Sequence, residues 1–282
     1  MPELPEVETI RLVLQRKIIG LTIKKIQILS PKSFIGNPNQ AEGQKVLKIE
    51  RFAKLLLVTL EKNSLLFHLK MTGQLILEDG KRFIGGHPTE DMLGKMPNAH
   101  TRVIFSFSDR SKLYFNDQRK FGWIRVSDKI QDTSNKLFEK LGPEPLEKEF
   151  TWQILKNNLL NHKSQPVKVA IMDQSVVSGV GNIYSNEACF NASLDPRKKV
   201  NQLTDKEFKS LHRGVQKALR DGIRHGGSTR AHFRDPEGHK GYFLDYAYVY
   251  GLDNHPCKVC KTEIKKIQLA GRGTYYCQHC QK

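Results

Sequence analysis

The spacing of the cysteines limits most strongly what this chain can fold into. Four of its five cysteines lie near the carboxyl end as two CxxC pairs, Cys257 with Cys260 and Cys277 with Cys280, and sixteen residues separate the pairs. Four thiolates in two close pairs supply the tetrahedral soft-ligand set that zinc prefers, and a closed four-cysteine shell leaves no position for a catalytic water. We therefore predict one structural Zn²⁺ that holds the hairpin between the pairs. Two disulfides are the alternative, which a cytoplasmic setting disfavours.

The charge of the chain indicates an anionic partner. Among 282 residues, 46 Lys and Arg outnumber 29 Asp and Glu, which gives a formal net charge of +17 that is spread along the sequence. Such a surface neutralises phosphates and releases counterions, so it suits nucleic acid, although solubility alone is another interpretation. The first residues show no basic leader before an apolar run, and no stretch reaches the roughly 20 apolar residues of a membrane span. We expect a cytoplasmic protein without membrane association.

Hydrophobic periodicity predicts a β-rich first half. Residues 5–19 carry apolar side chains at helical spacing, with Pro5 near the start and Gly20 as the stop. After this helix, short aliphatic and aromatic runs broken by turn residues predict an antiparallel sandwich. The runs are 55–60, 65–69, 75–77, 103–107, 112–115 and 123–126. Residues 85–99, which contain Gly, Pro and Asn, are predicted to be a long loop.

Beyond residue 128 the pattern becomes helical. Thr204 with Glu207 has the capping-box spacing ahead of a long apolar stripe, which predicts a helix. Shorter helices are predicted over 167–172 and 183–190.

The amino terminus acquires a particular chemistry if Met1 is removed. Pro2 then presents a secondary amine that can attack a sugar C1′, and an α-amino group titrates roughly two to three units below a lysine side chain. Glu3 beside it can give or take a proton. A proline near a chain start is also a common way to enter a helix, so the residues alone leave both interpretations open.

Seven ordered motifs run from one end of the chain to the other. They are PELPEVET (2–9), RFAK (51–54), HLKMTG (68–73), DQRKFG (117–122), LGPEP (141–145), GVGNIY (179–184) and the four-cysteine segment. In this order and spacing they resemble the formamidopyrimidine-DNA glycosylase family. The resemblance implies an α+β multidomain protein. Its parts are an N-terminal catalytic β-sandwich with an N-terminal helix over 1–128, a helix-two-turn-helix DNA-binding domain over 129–228, and a lesion-capping loop with a C-terminal zinc finger over 229–282.

The same resemblance implies a base-excision repair enzyme, a monomeric DNA glycosylase with abasic-site lyase activity that removes oxidised purines from duplex DNA. The family acts on a base flipped from the duplex. By similarity Pro2 displaces the damaged base and forms an iminium with the opened sugar, while Glu3 protonates the ribose ring oxygen. Lys54 matches the acid of β-elimination and a phosphate contact, although without its flanking motif a solvated charge at a strand end is the default interpretation. Arg272 matches the finger residue assigned to δ-elimination.

Further motif positions match the DNA contacts of the family. Met71 corresponds to the side chain that fills the void left by the flipped nucleotide, and Arg119 to the one that faces the orphaned base. Phe121 corresponds to an intercalating residue, although taken singly Met71 and Phe121 are also ordinary core side chains. Asn182 matches a phosphate-binding asparagine at a helix start. The remaining contacts align with His68, His100 and Lys163.

Two features depart from the family pattern, and two rival functions stay open. Residues 251–256 lack the basic residue that commonly follows Tyr-Gly before the finger, and the loop 85–99 is longer than usual. A sister family that removes oxidised pyrimidines usually has Gly where this chain has Leu4, and a non-catalytic zinc-finger binder needs no free terminal proline. The resemblance also implies a lid over the flipped purine in 226–243, for which an ordinary connecting loop is the alternative.

Overall fold

The computed structural model describes residues 1–86, 94–127, 136–228 and 243–282. The described residues fall into two compact units, one from Met1–Asn135 and Gly226–Tyr242, the other from Lys136–His225 and Phe243–Lys282. Most of the predicted lid and the middle of the predicted loop 85–99 lie outside the described residues.

The first unit begins with helix α1 (Leu4–Lys17), which confirms the helix predicted there. Pro5 stands in its first turn, where a missing N–H costs nothing. The Glu6 carboxylate reaches back and accepts the backbone N–H of Glu3 at 2.7 Å, which closes the start of the helix. The apolar face of this segment enters the core through Val7, Ile10, Leu14 and Ile18.

Ten strands follow in the described part of this unit, arranged as two five-stranded sheets. Their bounds are β1 Ile23–Ile28, β2 Phe34–Ile35, β3 Val46–Phe52, β4 Leu55–Leu60, β5 Ser64–His68, β6 Gly73–Glu78, β7 Arg82–Gly86, β8 Thr101–Phe107, β9 Lys112–Asp117 and β10 Trp123–Ser127. The first sheet has the order β1-β8-β9-β6-β7 and the second the order β2-β10-β5-β4-β3. Neighbouring strands are antiparallel except β10 and β2, which are parallel.

The two sheets face each other across one apolar core, so the predicted sandwich is confirmed. Phe105 from the first sheet and Phe67 from the second meet with ring centroids 5.7 Å apart. Interleaved aromatic rings of this kind contribute both buried area and a preferred geometry. The core therefore fixes the strand ends and turns on which the predicted site residues lie.

One sequence prediction was wrong in this unit: Gly85 and Gly86 belong to strand β7 and not to a loop. A Cβ at position 85 would lie 2.4 Å from Cγ1 of Ile10, so the glycine allows α1 to pass close to the strand. Gly86 has a φ of 116° and would bring a Cβ within 2.5 Å of the Gly73 carbonyl oxygen. Glycine serves close backbone approach here, which a sequence pattern cannot distinguish from a turn.

The second unit is mainly helical and ends in a β-ribbon. Its elements are α2 Lys136–Glu139, α3 Trp152–Leu159, α4 Val167–Ala170, α5 Asn182–Asn191, α6 Asp205–Arg224, α7 Phe243–Tyr246, β11 Lys265–Leu269 and β12 Arg272–Tyr276. The predicted capping box is confirmed, because the Glu207 carboxylate accepts the Thr204 N–H at 2.8 Å and the Thr204 hydroxyl accepts the Glu207 N–H at 3.3 Å. Helix α6 packs closely on α5, since a Cβ on Gly222 would lie 2.4 Å from the Tyr184 ring.

Across the described ranges, no helix combines the length and the apolar character needed to cross a bilayer.

Candidate catalytic and nucleic-acid-binding site

The buried carboxylate of Glu6 binds backbone groups on both sides of the amino terminus. Pro2 and Glu3 are both buried, and Glu3 directly precedes α1. One oxygen of Glu6 accepts the N–H of Glu3 at 2.7 Å, and the other accepts the N–H of Ser228 at 2.7 Å. Gly227 has a φ of 78°, and a Cβ there would lie 2.9 Å from the same carboxylate. The start of the predicted lid is therefore hydrogen-bonded to the first turn of α1, the helix that directly follows Pro2 and Glu3.

Lys54 lies on the tight turn between β3 and β4 and is only 7% exposed. Ala53 before it adopts a φ of 53°, in the left-handed region that an alanine rarely occupies. Arg51 supports this turn, since its Nη1 donates to the Ala53 carbonyl at 3.0 Å and its Nε donates to Glu8 at 3.0 Å. Burial raises the pKa of Glu8, but Arg11 and Arg51 more than offset it, so the carboxyl stays ionised. Helix α1 and the Lys54 turn are thereby joined.

His68 ends β5 opposite Leu55, the residue that follows Lys54. Burial, with the nearby positive charges of Lys70 and Lys54, lowers the pKa of His68 to about 3. Its Nδ1 accepts the backbone N–H of Lys70 at 3.1 Å, which places the ring proton on Nε2. At neutral pH His68 is thus an uncharged hydrogen-bond donor close to Lys54.

Buried Asp117 assembles the turn that carries Arg119 and Phe121. Its carboxylate accepts the N–H of Arg119 at 3.1 Å, the N–H of Gly122 at 2.6 Å and the hydroxyl of Thr72. Thr72 follows Met71, so the structure brings the three predicted wedge residues onto neighbouring turns. The Arg119 guanidinium lies 4.8 Å from the centroid of the Phe121 ring.

The two ends of this wedge differ in exposure. Phe121 is 53% exposed, whereas Met71 is half-buried. A large apolar side chain standing in solvent on a rigidly bonded turn suits insertion between bases. His100 lies beside the turn, because its carbonyl accepts the N–H of Asp117 at 2.9 Å.

In the second unit, Asn182 is the first residue of α5, with Gly181 as its N-cap. Fully buried Lys168 donates from Nζ to Oδ1 of Asn182 at 2.5 Å. The Asn182 side chain is thus fixed at a helix start, the end of a helix whose backbone dipole favours an anion. Lys163 is exposed and follows a short 3₁₀ turn, Leu160–His162.

The four terminal cysteines form the predicted metal centre. Their Sγ atoms all lie within 4.8 Å of one another, with Cys260 and Cys277 3.3 Å apart and Cys257 and Cys280 4.0 Å apart. A tetrahedron with Zn–S bonds of about 2.3 Å has edges of about 3.8 Å, so the donor set fits one zinc ion. The four thiolates complete its shell, and the metal is structural.

Arg272 is exposed and begins β12. It pairs with Leu269 across a two-residue turn in which Ala270 and Gly271 have φ values of 46° and 71°. Two consecutive positive φ angles define the tight hairpin turn that matches strand twist. The ribbon therefore presents Arg272 beside its tip.

Three family models match successive parts of the chain. They are the formamidopyrimidine-DNA glycosylase N-terminal domain over residues 1–124, the formamidopyrimidine-DNA glycosylase H2TH domain over 141–234, and the zinc finger found in FPG and IleRS over 254–282. A formamidopyrimidine-DNA glycosylase of Listeria innocua is 36% identical over 287 residues, with 100% of both chains covered. One of Bacillus subtilis is 38% identical, with 100% of this chain and 99% of that protein covered.

This chain belongs to the formamidopyrimidine-DNA glycosylase family. Solved structures agree: the MutM (FPG) protein of Thermus thermophilus has a TM-score of 0.84 at 35% identity, with 99% of this chain and 98% of that chain covered. A Lactococcus lactis FPG mutant in complex with Fapy-dG-containing DNA has a TM-score of 0.86 at 29% identity, with 100% of both chains covered. The predicted family, fold class, enzyme class and zinc are thereby confirmed.

The glycosylase has an apolar residue at the position before the finger where the family commonly has a basic one. Leu252 follows Tyr250 and Gly251 where the family commonly has a basic side chain, and here it packs against the finger core that includes Cys257 and Cys277. Asp253 next to it lies 3.6 Å from Lys266 Nζ. The segment before the finger is thus an apolar anchor.

Sequence reasoning missed three buried polar residues of this glycosylase that organise its second unit, Lys168, Asn186 and Glu187. Glu187 accepts the backbone N–H groups of Tyr248, Val249 and Tyr250 at 2.8 to 2.9 Å. Lys168 had a usable signal, because it interrupts the otherwise apolar run 167–172, where a charge needs a buried partner. Asn186 and Glu187 gave no such signal, since the N–H groups that they accept, those of Tyr275 and of residues 248–250, are distant in sequence.

Proposed function

We propose that this glycosylase removes formamidopyrimidines and 8-oxoguanine from duplex DNA and then cuts the abasic strand by β,δ-elimination. The observation that supports this most strongly is the match over the whole chain to a Lactococcus lactis relative that was crystallised with Fapy-dG-containing DNA. The buried placement of Pro2, Glu3 and Lys54 agrees with it.

Pro2 is the proposed nucleophile. After removal of Met1, its nitrogen lone pair forms a bond to C1′ as the bond from C1′ to the base breaks. The departing base takes up, in net, the N–H proton that the bound nitrogen loses. The freed lone pair on nitrogen then forms a C=N⁺ bond as C1′–O4′ opens, and Glu3 donates a proton to O4′. Glu3 is only 3% exposed and stands directly before α1, next to the proposed nucleophile.

Lys54 acts after the ring opens. Its ammonium protonates the leaving oxygen of β-elimination, while neutral His68 beside it donates a hydrogen bond to a DNA phosphate without adding charge. In the second unit Arg272 assists the δ step, and Asn182 and Lys163 contact backbone phosphates. Met71, Arg119, Phe121 and His100 support the distorted duplex around the flipped nucleotide.

We propose domain boundaries at 128 and 228, as the motifs indicate, and a monomer that works on chromosomal DNA in a bacterial cytoplasm. A four-thiolate zinc site suits that compartment, because reducing conditions keep thiols free for metal. Sedimentation of the purified protein with and without a duplex tests the monomer directly, and a dimer mass would contradict it.

A lesion panel tests the substrate assignment. We expect single-turnover release of formamidopyrimidine and 8-oxoguanine to exceed release of thymine glycol and dihydrouracil by at least about tenfold. The Leu4→Gly variant supplies the residue usual in the sister family and shows whether that position contributes to the preference. Faster release of the oxidised pyrimidines by the unmodified enzyme would assign it to the sister activity instead.

A further inference from the structure

We infer that Asn186 is a positioning residue for Arg272, an inference that rests on the δ-elimination role proposed for Arg272. Asn186 lies on α5, one turn after Asn182, and is fully buried. Its Oδ1 accepts the backbone N–H of Tyr275 on β12 at 2.7 Å, and its Nδ2 donates to the backbone carbonyl of Asn182 at 2.5 Å. One side chain thus joins the helix start proposed to bind phosphate to the strand that begins with Arg272.

These contacts lie on the edge of β12 that faces away from β11. In an antiparallel ribbon, successive residues alternate between bonding to the partner strand and pointing away from it. Gly273 and Tyr275 are two residues apart and therefore use the same edge. Asn186 accepts the N–H of Tyr275, and Lys168 Nζ lies 3.4 Å from the Gly273 carbonyl oxygen. Since a two-stranded ribbon is marginally stable alone, these contacts from the helical side set its direction.

The distance along β12 from the Tyr275 contact to Arg272 amplifies any rotation of the strand. Tyr275 and Arg272 are three residues apart, about 10 Å along an extended strand. A small rotation of the strand at Tyr275 therefore moves the Arg272 side chain by an ångström or more. A displacement of about 1 Å in a reacting group costs on the order of 10²-fold in rate, so loss of the anchor should slow the δ step.

The readout is the ratio of δ-elimination to β-elimination products, measured at equal extents of base release from an 8-oxoguanine duplex. Asn186→Leu keeps the number and branching of the side-chain heavy atoms and removes both hydrogen bonds, and we expect it to lower the ratio about tenfold. Ser185→Ala is the matched control, because Ser185 is its buried neighbour and donates to the same Asn182 carbonyl at 3.2 Å but makes no bond to β12. This control keeps the ratio of the unmodified enzyme.

Arg272→Ala in the same assay separates this inference from the proposed function. If Arg272→Ala leaves the ratio unchanged, Arg272 has no δ role and both fail. If Arg272→Ala lowers the ratio and Asn186→Leu does not, only the positioning role is contradicted.

If Asn186→Leu loses zinc or unfolds at a lower temperature, Asn186→Asp is used instead. This variant retains an oxygen that can accept the N–H of Tyr275. A ratio close to that of the unmodified enzyme in Asn186→Asp supports positioning. A ratio as low as that of Arg272→Ala, in Asn186→Asp protein with one zinc per chain, overturns it.

Discussion

The two units of this glycosylase present their proposed functional groups in opposite ways. In the first unit Pro2, Glu3 and Lys54 are buried, whereas in the second unit Lys163 and Arg272 are exposed. Burial changes the proton affinity of a group, while an exposed cation acts mainly through salt-sensitive attraction to phosphate. The difference agrees with the proposal that the first unit supplies most of the chemistry and the second most of the binding to DNA.

The supports of the two units differ as well. Carboxylates hold the turns of the first unit, as Glu6, Glu8 and Asp117 do for the amino terminus, the Lys54 turn and the wedge. The second unit uses a Cys₄ metal centre and buried polar side chains on α4 and α5. Variants in each unit therefore test whether chemistry and grip are separable.

The largest effect should come from Lys54→Ala. Loss of a positioned acid typically costs 10² to 10⁴-fold, so we expect strand cleavage at a preformed abasic site to fall by about 10³-fold. Duplex affinity should change by less than about tenfold, since one phosphate contact is lost. Rapid-quench kinetics and fluorescence anisotropy measure the two quantities. Lys62→Ala, at an exposed lysine of the same unit, is the control and should change neither quantity. If Lys54→Ala lowered the cleavage rate and the duplex affinity by equal factors, chemistry and DNA binding would not be divided between the units.

Removal of zinc should weaken DNA binding by the second unit. Cys277→Ser opens the metal shell, and we expect duplex affinity to fall about 10²-fold because the ribbon bearing Arg272 loses its support. The β-sandwich should keep its thermal transition, since its core contains none of the four cysteines. Metal content by mass spectrometry and calorimetry check both points. Loss of the sandwich transition on chelation would show that the first unit depends on the metal.

Acid should weaken the first unit through His68. The folded pKa is about 3, and the unfolded value is about 6.5, so the unfolded chain binds more protons between these limits. The free energy of unfolding should therefore fall as the pH drops below about 6.5, by about 2 kcal/mol at pH 5. Urea denaturation from pH 8 to pH 5 measures this slope. His68→Gln should remove that part of it, and an unchanged slope in the variant would contradict the assignment.

Phe121→Ala should have the smallest effect on the fold. Its ring is 53% exposed, so stability should change by less than about 0.5 kcal/mol. Base release should nevertheless slow about tenfold, because stacking of an aromatic side chain on a base contributes on the order of 1 to 3 kcal/mol. Thermal unfolding and single-turnover excision separate the two. A destabilised variant would identify Phe121 as a core residue after all.

Much of the fold could be predicted because its determinants are local. The helix after Pro5, the capping box at Thr204 and strand 55–60 each depend on residues close in sequence, and all three are confirmed. Strand β7 was missed because its two glycines are required by close contacts with Ile10 and Gly73, which are distant in sequence. Strand β1 was missed because it alternates poorly, with lysines at two successive positions.

The site was predictable where motifs name residues and unpredictable where backbone groups are the partners. The spacing of the four cysteines is typical of a zinc site, so the metal could be predicted from the sequence. Glu6 and Asp117 each accept hydrogen bonds from two backbone N–H groups, and those groups come together only in the folded chain. The supporting residues of a site are therefore harder to derive than the residues that react.

The central claim is that Pro2 supplies the nucleophile, and borohydride trapping tests it most directly. The enzyme is mixed with 8-oxoguanine duplex and borohydride, and the adduct is digested and mapped by mass spectrometry. An iminium is reduced to a stable bond, so we predict a covalent adduct on the peptide that begins with Pro2 and none on enzyme that retains Met1. An adduct of equal yield on Met1-retaining enzyme, or one mapped to a lysine such as Lys54, would contradict the account.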